Sequence, residues 1–153
     1  FAREMRRRRA NLLWLAHQQD DIAETMLMRL ARGSGTGGLA APRPVQAFAD
    51  GRTYLRPLLT FPKSELVAAL RAIGATWRED ATNAAPLHFR NRIRRSILPA
   101  WVESAGRDAV AGAALSRERL EEDEVALETW LDELAPFASR GRCLLAVRLA
   151  GKP

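Results

Sequence analysis

The 153-residue chain has little of what builds covalent or metal-held frameworks. Its one cysteine, Cys143, excludes an intrachain disulfide and a cysteine-based zinc site. Two histidines, His17 and His88, are too few for a histidine metal cluster, so no protein-held metal is expected. No apolar run approaches the ~20 residues of a membrane-spanning helix. Lysine is almost missing: Lys63 and Lys152 stand beside 22 arginines. An initiator methionine is also missing, since the chain opens Phe1-Ala2-Arg3. The charged run Met5 to Arg9 is not followed by the apolar core of a secretory leader. A start of this kind reads as part of a longer protein.

What is present fits a globular protein, with 47% hydrophobic and 27% charged residues. The formal net charge of +6 is unevenly spread. Residues 1–100 carry 17 basic and 8 acidic side chains, net +9, whereas residues 101–153 carry 7 and 10, net −3. A basic first part points to a polyanionic partner such as nucleic acid or a nucleotide. The plainer alternative is codon bias towards arginine on a solvated surface.

Phe1 to Arg9 reads as a helix end. Asn11 to Ala16 is an apolar run suited to a parallel strand covered on both faces. Asp20 or a neighbour could cap a helix over Ile22 to Arg32, followed by a flexible glycine loop, Gly33 to Gly38. Pro42 and Pro44 keep the next stretch extended, Thr53 to Arg56 forms a short strand, and Glu65 to Ile73 a helix closed by Gly74. A loop spans Trp77 to Pro86, and a basic helix runs from about Leu87 to Ile97 and stops near Pro99. Asp108 to Leu134 reads as one long amphipathic helix, with Ala113, Leu120, Leu127 and Leu134 at heptad spacing and Val110 and Leu131 beside them. Its outer face is acidic, and Glu121 to Glu124 are expected to be simply solvated. Pro136 ends it, and Cys143 to Leu149 reads as a strand with Cys143 a core thiol. The composition shift near residues 100–107 suggests a domain boundary.

Three segments could carry chemistry. Asp21 and Glu24 are three apart at the start of a helix that follows a parallel strand, where open α/β sheets bind ligands. Two carboxylates on one face suit an ammonium group or a metal ion, and His17 just before them suits a phosphate or sugar. The plain alternative is a pair of acids that complement the helix dipole. Next come Arg29, Arg32, Gly33, Ser34 and Gly35, whose loop amides could cradle an anion. A helix C-terminus is the wrong dipole end for a phosphate, so a C-cap loop is the alternative. Finally, Arg90 and Arg94 share a helix face while Arg92 and Arg95 point elsewhere, with Phe89 alongside. Arginines so placed suit phosphate or RNA backbone, or else a solvated face.

In order along the chain stand Ala16-His17-x-x-Asp20-Asp21-x-Ala23-Glu24-Thr25, Arg29-Leu30-x-Arg32-Gly33-Ser34-Gly35-x-x-Gly38-Leu39, Arg56-Pro57-Leu58-Leu59, Glu79-Asp80-x-Thr82-Asn83 and Arg90-Asn91-x-Ile93-Arg94. Together they resemble the tRNA(Ile)-lysidine synthetases, of the N-type ATP pyrophosphatase (PP-loop) group, over about residues 1–101. Residues 1–104 would then be the C-terminal part of the PP-loop ATP pyrophosphatase domain. Residues 105–153 would be a long helix plus strand opening a smaller, tRNA-specific α+β domain. The implied fold is α/β: a partial Rossmann-like, helix-rich, parallel-sheet domain of the adenine nucleotide alpha hydrolase-like type.

The resemblance also implies a reaction. ATP, with Mg2+, adenylates C2 of the wobble cytidine of tRNA(Ile) and releases pyrophosphate; the lysine amine then displaces AMP. It implies that Asp21 and Glu24 bind lysine, that Arg90 and Arg94 neutralise developing phosphate charge as catalytic residues, and that Arg92 and Arg95 contact tRNA. His17, Arg32, Gly33, Ser34 and Gly35 would lie at the nucleotide. A cytoplasmic enzyme is implied, and a homodimer is compatible with it. The group's Ser-Gly-Gly-x-Asp-Ser phosphate loop is absent from this sequence, so this chain alone should not adenylate tRNA. Gln18-Gln19 and Ile22 also depart from the group's usual His and Gln. Alternatives are a related PP-loop tRNA thiolase, which the single cysteine disfavours, and a non-catalytic RNA-binding fragment.

Overall fold

A computed structural model describes residues 1–78 and 88–134. Helix α1 (Ala2–Arg8) ends in a left-handed residue, Arg9. Strand β1 (Leu12–Trp14) follows, then helix α2 (Gln19–Leu30) and the short helix α3 (Thr36–Leu39). Strands β2 (Val45–Ala47) and β3 (Thr53–Leu55) precede helix α4 (Lys63–Ala72). Beyond the undescribed residues lie α5 (Phe89–Arg92), a π-helical turn (Ile93–Ile97), α6 (Leu98–Ala105) and α7 (Ala109–Leu134).

The sheet order is β1-β3-β2. Strand β1 runs parallel to β3 with Leu13 opposite Tyr54, and β2 runs antiparallel to β3 with Gln46 opposite Tyr54. A parallel pair needs a crossover, and here α2, α3 and β2 supply it. The fold is thus mixed α/β, helix-rich, with one parallel and one antiparallel strand pair and a long final helix. Strand β2 was not foreseen. Its signal was Asp50-Gly51 between two short alternating segments, a hairpin turn in which Gly51 takes φ +81°.

Strand β1 is not covered on both faces as expected: Leu12 is 49% and Trp14 67% exposed. Among the described residues it pairs along one edge only, and the face that carries these two side chains is open. The basic helix also continues past Pro99. A proline at the first turn of α6 costs little, because the amide it lacks has no partner there in any case. The chain turns instead at Gly106, whose φ of +59° is a conformation glycine adopts without penalty.

The core joins α2, α6 and α7 through Ala23, Met26, Leu98 and Ala113, with Leu27, Leu39, Val110 and Leu120 packed around them. Helix α7 therefore uses only the first part of its heptad stripe, since Leu127 and Leu131 stay exposed. The glycine loop is no loose tether. Thr36–Leu39 is helical, Arg29 donates to the Gly38 carbonyl, and the Thr36 hydroxyl donates to Glu124 of α7. Glu121 and Glu124 are accordingly not simply solvated. They sit three apart on the side of α7 that faces α3, where Glu121 accepts from the buried Arg117 at 2.5 Å, while Glu122 and Asp123 remain exposed. Most of the Trp77–Pro86 loop, with Asp80, Thr82 and Asn83, lies outside the described residues, as do Pro136 and the Cys143–Leu149 segment.

Candidate functional site

The site forms where β1 runs into α2. Gln18 caps the helix: its side chain accepts from the Asp20 amide at 2.9 Å, and its own amide donates to Asp21 Oδ2 at 2.9 Å. Asp20 is turned the other way and accepts from the Lys63 backbone amide at 2.9 Å, so it holds the first turn of α4 against α2. Reciprocal capping fixes the first turn of α2 and leaves Asp21 Oδ1 and the Glu24 carboxylate on one face, as their spacing predicted.

Opposite that face stands the basic helix. Arg90 donates through Nη2 to Asp21 Oδ1 at 2.6 Å and through Nε to Glu24 Oε2 at 2.7 Å. Arg94 donates through Nε to Glu24 Oε1 at 2.5 Å and through Nη2 to Oε2 at 3.0 Å. Two carboxylates and two guanidinium groups thus form one formally neutral cluster. Glu24 is fully buried at 0% exposure, so its charge is tolerable only because charged hydrogen bonds occupy both oxygens. The bond to Glu24 is also the main reason that Arg94 holds its proton more firmly than usual. Both pairs were legible in the sequence; that they meet each other was not.

His17 stands beside the cluster. Its Nδ1 accepts from Arg56 Nε at 3.1 Å. Burial pulls the imidazole below its ordinary pKa; Asp21 opposes this, and the cations Arg56 and Arg90 add to it. His17, Asp21, Arg90 and Arg94 line a polar cleft of about 390 Å3 together with Phe1 and Ala16. A second cavity of about 550 Å3 lies beyond, lined by Glu24, Arg94, Asp20, Lys63 and Glu103 and by apolar Leu98, Val102 and Val110. Arg94 lines both, so the cluster is the partition between a polar and a largely apolar space.

The remaining candidates lie elsewhere. Arg32 to Gly35 sit past the C-terminal end of α2, separated from His17 by the ~18 Å length of a twelve-residue helix. The structure does not bring them to the cleft. Arg92 and Arg95 are exposed, on a different side from Arg90 and Arg94, and the Arg92 guanidinium lies 5.7 Å from the Phe89 ring centroid. Arg56 stands in the Arg56-Pro57-Leu58-Leu59 segment, and nothing in the sequence pattern marks it as a partner of His17. The only signal for a role was an arginine at the end of a strand.

Comparison with known proteins agrees with this architecture. The PP-loop domain family model matches residues 1–101. The tRNA(Ile)-lysidine synthase of Geobacter sulfurreducens is 40% identical over 124 residues, which cover 81% of this chain and 26% of that protein. The synthases of Symbiobacterium thermophilum and Bacillus subtilis are 46% and 38% identical, over 71% and 84% of this chain and 22% and 27% of their own lengths. The chain therefore spans about a quarter of the curated relatives it matches. With a family match across the whole strand–helix–strand unit that builds the cleft, the chain belongs to the PP-loop domain family.

Proposed function

We propose that this chain is part of an enzyme that ligates lysine to C2 of the wobble cytidine of tRNA(Ile), with ATP as the activating substrate. The observation that carries this reading is the cluster of Asp21, Glu24, Arg90 and Arg94, set between a polar cleft and a largely apolar cavity. Activation would join C2 oxygen to the α-phosphorus and release pyrophosphate. Ligation would form the C2–N bond, break the C2–O bond and release AMP.

Asp21 and Glu24 are the groups to receive the lysine ammonium, since two carboxylates in one place match one cation that must also lose a proton before it attacks. The receipt of a cation there would weaken their hold on Arg90 and Arg94. A guanidinium so released can turn towards the polar cleft, where negative charge gathers on the departing phosphate. Lysine binding and charge neutralisation would then be two halves of one exchange of ion pairs. The exposed Arg92 and Arg95 serve the tRNA backbone. Residues 1–104 form the nucleotide-binding part and 105–153 the opening of the tRNA-specific part. Arg32 to Gly35 would contact the nucleotide only through a separate edge of it.

Among the described residues no group of three metal-ligating side chains exists. Asp21 and Glu24 are engaged by arginines and do not fit a metal centre, so Mg2+ is assigned to the ATP phosphates and no step is routed through it. No described helix is long and apolar enough to cross a membrane, and a cytoplasmic enzyme is part of the same proposal. The test is the pair Asp21→Asn with Glu24→Gln in the full-length protein. Lysine incorporation should be lost, while tRNA-dependent release of pyrophosphate from ATP largely persists. An unchanged dependence on lysine concentration would overturn the assignment.

A further inference from the structure

We propose that Arg56 is a positioning residue that fixes His17 as a neutral imidazole with its Nε2–H presented to the polar cleft, so that His17 donates a hydrogen bond there and does not act as a base. A guanidinium has only donors, so the ring nitrogen 3.1 Å from Arg56 Nε must offer its lone pair. In a neutral ring the proton then sits on Nε2, and His17 is among the residues that line the cleft.

Arg56 is itself held in place. Its Nη1 donates to the Arg43 carbonyl at 2.8 Å, its Nη2 to Gln46 Oε1 at 3.0 Å, and it is 8% exposed. All three contacts are to uncharged acceptors, so its positive charge remains to act on His17. The charged groups around the imidazole are Asp21 from α2, Arg56 from the end of β3, and Arg90 and Arg94 from the basic helix. Arg90 and Arg94 are neutralised by Asp21 and Glu24, so the uncompensated positive charge beside the ring is that of Arg56. A positive charge on the ring, beside that of Arg56, is disfavoured. The matching ligand group is an acceptor oxygen, anionic or hydroxyl. Its assignment to a nucleotide rests on the function proposed above; the tautomer does not.

The experiment is nitrogen-15 NMR of the histidine- and arginine-labelled full-length protein, with the His17 signals assigned by their loss in His17→Asn. The expected result is one neutral tautomer protonated at Nε2, a coupling across the hydrogen bond between Arg56 Nε and His17 Nδ1, and a titration midpoint below 6.5, the ordinary value. Arg56→Gln should mix the tautomers and raise the midpoint. A proton on Nδ1, mixed tautomers in the unsubstituted protein, or a folded Arg56→Gln variant with unchanged tautomer and midpoint would overturn the proposal. If Arg56→Gln does not fold, the tautomer and coupling in the unsubstituted protein decide it. ATP titration is the separate arm: an Nε2–H resonance that ATP leaves unmoved overturns the nucleotide reading of the cleft and not the role of Arg56.

Discussion

Glu24→Gln is the most informative single perturbation of the fold. Glu24 is fully buried and accepts three charged hydrogen bonds, from Arg90 Nε at 2.7 Å and from Arg94 Nε and Nη2 at 2.5 and 3.0 Å. Charged bonds contribute ~1.5–3 kcal/mol each, while burial of the carboxylate costs several kcal/mol. Glutamine keeps the volume and one acceptor, but it turns an NH2 donor towards a guanidinium that has only donors. Removal of one partner from a buried pair costs ~3–5 kcal/mol. That figure must be reduced here, because the Arg90 and Arg94 side chains are 37% and 32% exposed and can turn to water. A loss of ~2–3 kcal/mol follows, or a fall in Tm of about 4–12 °C for a domain of this size. Urea denaturation of Glu24→Gln, Arg94→Met and the double variant would measure it. The double variant should lose less than the sum of the two single losses, because neither leaves an orphan in its absence. A Glu24→Gln loss under about 0.5 kcal/mol, the level of an exposed salt bridge, would refute the reasoning.

Three further outcomes are expected. The depressed His17 pKa means that the unfolded chain takes up a proton before the folded one does. Stability should therefore be fully present above pH 6.5 and decline as the pH falls below it, and His17→Asn should remove that part of the slope in denaturation series across pH. Arg92→Ala and Arg95→Ala are exposed changes that should leave folding stability within about 0.5 kcal/mol of the parent and lower the slope of log affinity for tRNA against log salt by about 1 per lost phosphate contact; binding in a salt series checks this. A Cβ at Gly38 would lie 2.8 Å from the Ser34 Cβ, so Gly38→Ala should cost ~1–3 kcal/mol by thermal denaturation, with no such loss for Gly35→Ala, where a Cβ meets open space.

Local signals in the sequence were reliable where one physical term dominated. Helices α2, α4 and α7 follow from apolar spacing and from glycine or capping residues at their ends, and β3 from a short β-branched and aromatic run before Pro57. They failed where a remote contact decided the outcome. The Gly33–Gly38 segment has the composition of a flexible tether, yet Arg29 and Glu124 hold it. Pro99 looked like a stop, yet its place in the first turn of α6 lets the chain run on.

The site divides in the same way. Residue spacing by itself determined that Asp21 and Glu24 share one face and Arg90 and Arg94 another, because helical periodicity is a local property. Only the tertiary structure decided that the two faces meet, that Glu24 is sealed from water by the meeting, and that Arg56, 39 residues after His17, supplies the donor for its imidazole. A charge pattern states which groups can pair; burial and distance, which arise only on packing, state which of them do.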